Sequence, residues 1–318
     1  MNWKYFKKIF RTIGLILAIL IGFMGFYAVT RAEIEPKAQI INTLPDISGL
    51  GWIENNLFLG VHDAKNGTDN DKPRVSLIKL PDSKSGLGWE PVDLIWPEPI
   101  GFSNDLEGVA RIPDEFWFII AESGNNLKTP PFPRLFLLEY AQNQLKLIDS
   151  TSWPVPVNNV EGIAVAKIKN QLIFIYAERG DNQPNTEIRW GSLSLNPLKF
   201  GSFGGVIYPN PESKQTNIRS VSAMDVDNQG RLYVASAFDP NVDNGPFYSK
   251  VWQIGKISEQ ENNDIQIILE STPKLIAVID GFKVEGLAIK ETNGNQREFI
   301  IGTDDENYGG VVRILPLN

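Results

Sequence analysis

The chain has 318 residues, 42% of them hydrophobic and 21% charged, with a formal net charge of -8. An acidic balance argues against a nucleic-acid partner, which needs a basic footprint, and the absence of cysteine excludes disulfides and thiolate chemistry. His62 is the only histidine, so a His-rich zinc site is excluded as well.

Residues 1–31 differ from the rest. Thr12 to Val29 is an 18-residue run without a charge, preceded by Lys4, Lys7, Lys8 and Arg11. Its length predicts one transmembrane helix acting as a signal anchor in the cell membrane, and the basic flank predicts that the domain behind it lies outside the cytoplasm. The alternative is a cleaved signal peptide and a secreted or periplasmic product. Five of the 30 basic residues and none of the 38 acidic ones fall in 1–31, so the remainder is more acidic than the whole, at about -13. Residues 32–37 read as a linker and 38–318 as one domain.

That domain repeats. Asp105 to Asn126, Val160 to Asn182 and Val284 to Asn307 each open on a Glu-Gly pair, continue through a short apolar run and a polar break, and close on an apolar-aromatic run ending in acid. Looser copies begin at Ser48 and Ser222, which gives five units at intervals of 54 to 63 residues. Short strand-like runs at such a period, with no helical spacing, predict a β-propeller or a solenoid.

Unit one supplies strands at 47–53, 57–61, 75–80 and 92–96, unit two at 107–111, 116–121, 135–140 and 145–148, and unit three at 161–166, 172–177, 188–195 and 206–208. Unit four supplies 221–226, 232–237, 250–254 and 265–269, and unit five 284–289, 298–302 and 311–315. The fifth unit stops one strand short, and an early strand at Ala38 to Leu44 fills the gap and removes an open edge. The expectation is therefore an all-β propeller of five four-stranded blades closed by an N-terminal strand. Six blades are the alternative if Leu275 to Ile279 is the remnant of a further unit.

In antiparallel hairpins the start of the first strand and the end of the second lie at one end of the sheet. Glu107, Glu161 and Glu285, with Asp63, Glu122, Glu178, Asp239 and Asp304, should then surround one mouth of the channel. Carboxylates without His or Cys suit a hard cation, Ca²⁺ in first place, so Glu107, Glu161 and Glu285 are the candidate metal ligands. Glu122, Glu178, Asp304, Arg179 and Arg313 are the candidate ligand-binding residues, the arginines as phosphate holders or as partners of nearby acids. Against this stands an architectural reading, in which the glutamates tie blades together and the glycines allow close strand approach. His62 reads as an ordinary loop residue. There is no GxSxG elbow, P-loop or dinucleotide fingerprint, and no catalytic residue can be nominated.

The repeated Glu-Gly motifs, with Gly302-Thr-Asp-Asp-Glu-Asn307, resemble bacterial phytase-like and esterase-like β-propeller domains, including the SdiA-regulated group. That resemblance implies the propeller and a tendency to bind cations. In propeller phytases an acidic cluster follows the Glu-Gly pair, whereas here Ala166-Lys167 and Ala288-Ile289-Lys290 stand in that place. The combined expectation is a membrane-anchored, extracytoplasmic propeller that binds Ca²⁺ and a small molecule or envelope component at an acidic mouth, extending to hydrolysis of phosphoric or carboxylic esters. A non-catalytic binding or scaffold propeller of the cell envelope is the alternative.

Overall fold

A computed structural model describes residues 43–83, 85–99, 101–124, 133–180, 183–261, 264–292 and 296–316. The expected anchor, the linker and residues 38–42 of the closing strand lie outside the described residues. Among those described, no helix is long and apolar enough to cross a membrane.

Among the described residues, twenty strands form five antiparallel sheets. Blade one is β1 (Gly49–Glu54), β2 (Leu57–Val61), β3 (Val75–Lys79) and β4 (Gly88–Pro91), and blade two is β5 (Leu106–Arg111), β6 (Trp117–Glu122), β7 (Arg134–Ala141) and β8 (Gln144–Ser152). Blade three is β9 (Val160–Ile168), β10 (Gln171–Glu178) and β11 (Asn185–Leu195), with β12 (Leu198–Phe200) and β13 (Gly204–Pro209) both on the outer side of β11. Blade four is β14 (Ile218–Val226), β15 (Arg231–Phe238), β16 (Tyr248–Glu259) and β17 (Ile265–Asp280). Blade five is β18 (Val284–Thr292), β19 (Gln296–Thr303) and β20 (Val312–Ile314).

The first strand of each blade is innermost, and these strands neighbour one another in the cycle β1, β5, β9, β14, β18 and back to β1. The ring is closed. Alternating side chains of adjacent blades fill the layers between them, as where Phe118 and Phe136 of blade two meet Ile53 and Leu59 of blade one.

Two expected features fall differently. Val92 to Trp96 is not the fourth strand of blade one. It leaves the sheet after β4 and crosses to blade two, where the Trp96 ring meets Phe136 edge-on at 5.1 Å. Leu275 to Ile279 starts no sixth blade, because it continues β17, which pairs with β16 along both halves. At the seam, Leu44 is buried and its carbonyl accepts from Gly310 N at 2.9 Å, while Ile47 N donates to Thr303 O at 2.9 Å. The segment ahead of blade one thus hydrogen-bonds to blade five.

Candidate functional site

The Glu-Gly pairs mark β-bulges. In blade two Leu106 pairs with Glu122 and Gly108 with Ala121, in blade three Val160 with Glu178 and Gly162 with Ala177, and in blade five Val284 with Thr303 and Gly286 with Gly302. The residue passed over is Glu107, Glu161 or Glu285, and a bulge re-aims the side chain of its extra residue. The following glycine then meets the next blade. A Cβ on Gly108 would stand 2.8 Å from Ile163 Cγ1, one on Gly162 2.7 Å from Val221 Cγ1, and one on Gly286 2.8 Å from Leu50 Cβ.

Blade four carries the same device in altered form. Ile218 pairs with Phe238 and Arg219 with Ala237, and after a shift the ladder resumes at Ala223 with Ala235. The extra residues displace the repeat, so the residue equivalent to the glutamates is Arg219, three positions before the Ser222 at which the sequence pattern aligns. Asn217-Ile-Arg219-Ser matches Asn159-Val-Glu161-Gly once that insertion is allowed, and Asn159 and Asn217 share a left-handed backbone, with φ of 61° at each.

A guanidinium therefore stands among the glutamates and binds two of them. Arg219 pairs with Glu285 and with Asp239, and reaches Glu161 at 3.6 Å. Arg179 holds Glu161 from the other side at 3.0 Å. Lys283, whose side chain is 1% exposed, is 2.9 Å from Asp304, 3.7 Å from Glu285 and 3.9 Å from Asp239, and also pairs with Glu306. Burial works against the charges of Arg219 and Lys283, yet the surrounding carboxylates raise both pKa values above their ordinary range. The mouth is an alternating ionic lattice rather than a bare acidic rim.

Glu107 is differently placed. It stands with Asp63 and Asp105, and one carboxylate oxygen from each of the three lies within 4.8 Å of the others, an arrangement that could hold a metal ion. Burial and then Asp105, Glu285, Glu161 and Asp63 push the Glu107 carboxyl well above its usual range. Asp63 is raised by burial and by Asp304. Lys65 approaches the group from solvent, 3.6 Å from Asp63 and 3.5 Å from Asp105. Beside Asp63 opens a cavity of about 390 Å³, whose wall includes Asp46, His62, Lys72 and Tyr308. Of the expected metal ligands, then, Glu107 belongs to a metal-competent group, while Glu161 and Glu285 are engaged by Arg219.

Glu122 and Glu178 face elsewhere. Each is one residue before the position that Asp63, Asp239 and Asp304 occupy in their blades, and one residue along a strand reverses the face. Glu122, buried, accepts from Arg134 N at 2.7 Å and Arg134 Nη2 at 2.7 Å, locking β6 to β7. Glu178 accepts from Asn158 N at 2.9 Å. Arg313, on β20, stacks 4.6 Å from the Phe282 ring centroid. His62 follows β2 as expected for a loop residue but is buried, with Nδ1 2.6 Å from the Asp46 carbonyl and Nε2 2.6 Å from Ser76 Oγ.

No family model and no curated protein matches the chain. Among solved structures it is similar to the endo-arabinase of Bacteroides thetaiotaomicron, at 8% identity and a TM-score of 0.52 over 87% of this chain and 94% of that one. It is also similar to a β-fructofuranosidase of Bombyx mori, at 12% identity and a TM-score of 0.49 over 93% and 67%, and to the endo-arabinanase of Bacillus licheniformis, at 11%, 0.45, 87% and 96%. At such identities the likeness is one of fold, and the first of these supports the five-bladed propeller.

Proposed function

We propose that the chain is a membrane-tethered, extracytoplasmic propeller that binds a calcium ion through Asp63, Asp105 and Glu107 and takes a small ligand into the adjoining cavity, as a hydrolase of phosphoric or carboxylic esters. The observation that carries the reading is the convergence of those three carboxylates beside a cavity of about 390 Å³. All three donors are hard oxygens, and oxygens up to 4.8 Å apart fit an ion that binds each at about 2.3–2.6 Å. When bound, calcium would supply Lewis-acid and templating chemistry.

The chain's own residues have separate parts in this proposal. Burial and the neighbouring carboxylates disfavour a bare Glu107 carboxylate, a bound cation would favour it, and Lys65 would swing outward from Asp63 and Asp105. Ser123 donates to Asp105 Oδ2 and so leaves Oδ1 to face Lys65 or an ion. A likeness of fold assigns no reaction, so the ester class rests on the phytase-like resemblance of the Glu-Gly motifs. The tether rests on the apolar run Thr12 to Val29.

A second reading is favoured by Arg219, Lys283 and Lys65, which already counter much of the negative charge, as a scaffold propeller would require. Melting of the full chain with calcium and with chelator separates the two. At a free calcium concentration of about 100 times Kd the metal reading expects roughly 2.7 kcal/mol of stabilisation, lost in a folded Glu107→Gln variant, together with calcium-dependent turnover of a phosphate or acyl ester. A melt indifferent to both additives would leave the scaffold.

A further inference from the structure

At the ends of the innermost strands, opposite the glutamates, lies a second cavity of about 460 Å³. Between the two mouths lies a void of only about 10 Å³ lined by Gly49, Gly108, Ala223 and Leu287 among others, room for about one water molecule. The second cavity is therefore a separate chamber, and its volume is that of a small-molecule site.

Its chemistry centres on two groups from different blades. Arg111, the last residue of β5, lies 4.4 Å from the Trp52 ring centroid and 5.7 Å from that of Phe116, which fixes the plane of the guanidinium. Its Nε donates to the Glu115 carbonyl at 3.3 Å, and among the described residues its terminal nitrogens have no hydrogen-bond or ion-pair partner. Burial lowers the Arg111 pKa, and Asp225 is the strongest influence opposing that. Asp225, near the end of β14, accepts from Val226 N at 2.8 Å and Ile289 N at 2.7 Å. Arg111 and Asp225 feel one another's charge without forming a direct ion pair. Of the other charges at the chamber, Lys167 is paired with Asp114 at 2.6 Å, Asp227 with Arg231 at 2.6 Å and Lys169 with Glu259, while Glu291 accepts from Asn228 N at 3.0 Å.

A group lying between Arg111 and Asp225 must accept from a planar, two-pronged donor and donate to a carboxylate. An anionic carboxylate satisfies the first demand bidentately, and a hydroxyl on the same molecule satisfies the second, while Val109, Val165 and Ile289 offer apolar wall to its carbon skeleton. We propose that this chamber binds a small hydroxylated organic acid, its carboxylate on Arg111 and a hydroxyl on Asp225. The site is independent of the calcium group at the other mouth.

Calorimetry on the full chain with D-glucuronate and L-malate tests it. Saturable binding of at least one acid is expected, with D-glucose, which lacks the carboxylate, at least tenfold weaker. Arg111→Met should weaken the bound acid at least tenfold, and Arg111→Lys, which keeps the charge and the fold but loses the fork, should weaken it severalfold. No saturable heat with either acid up to about 10 mM, equal binding of D-glucose, or an affinity unchanged in Arg111→Lys would overturn the assignment.

Discussion

His62 shows what one side chain contributes when both ring nitrogens are used. A carbonyl only accepts, so Nδ1 carries the hydrogen given to Asp46, and Nε2 accepts from the Ser76 hydroxyl. The ring is neutral, and burial lowers its pKa to about 4 from an ordinary 6.5. A depressed histidine stabilises the fold above about pH 6.5 and loses that contribution as pH falls toward 4, worth about 3 kcal/mol in all. Asp46, raised to about 7 mainly by burial, acts in the opposite direction through the same window, so wild type must be compared with a variant. Urea melts of wild type and His62→Asn should differ most at pH 7 and converge toward pH 4; parallel curves would remove His62 as the cause. None of this is legible in the sequence, where a lone histidine before an aspartate looks like a loop residue. Its partners, Asp46 and Ser76, come from other segments.

At the scale of the element, the recurrent pair is a bulge followed by a contact. The glutamate is turned by the extra residue, and the glycine gives the next blade room. Gly49 stands in the same place in blade one, and a Cβ there would lie 2.8 Å from Val61 Cγ2 and 3.1 Å from the backbone of Gly108, whereas a Cβ on Gly108 would meet the side chain of Ile163. Side chains yield more readily than backbone, so Gly49→Ala should cost more than Gly108→Ala, within the roughly 1–3 kcal/mol of an overpacked core. Chemical denaturation of the two variants checks the order, and a larger loss at Gly108 would contradict the packing account. The repeat could be read from the sequence because this device recurs with its glycine. Arg219 could not, because the insertion after it shifted the apparent start of blade four. Glu122 and Glu178 were misaligned with the mouth by a single residue, which periodicity cannot detect without the register.

Across the molecule, Arg219 joins Glu161 of blade three, Asp239 of its own blade and Glu285 of blade five. Removing one member of a buried ionic group leaves its partners uncompensated, typically a loss of about 3–5 kcal/mol. Arg219→Met should show such a loss at pH 7 and a smaller one as pH falls, because burial and Asp304 already bias the Glu285 carboxyl toward its protonated form and loss of the guanidinium strengthens that bias. A loss independent of pH would mean that shape rather than charge is what Arg219 supplies. The five-bladed plan was legible because each blade repeats its inner hairpin. The second chamber was not, because Trp52, Arg111 and Asp225 occupy it from blades that share no pattern there. The hydrogen bond from Gly310, in the turn ahead of β20, to the Leu44 carbonyl brings the segment ahead of the first blade alongside the last blade. A polypeptide spliced across that junction and opened at an outer turn would keep every blade's neighbours while changing their order along the chain, so the toroid's architecture is indifferent to where synthesis starts.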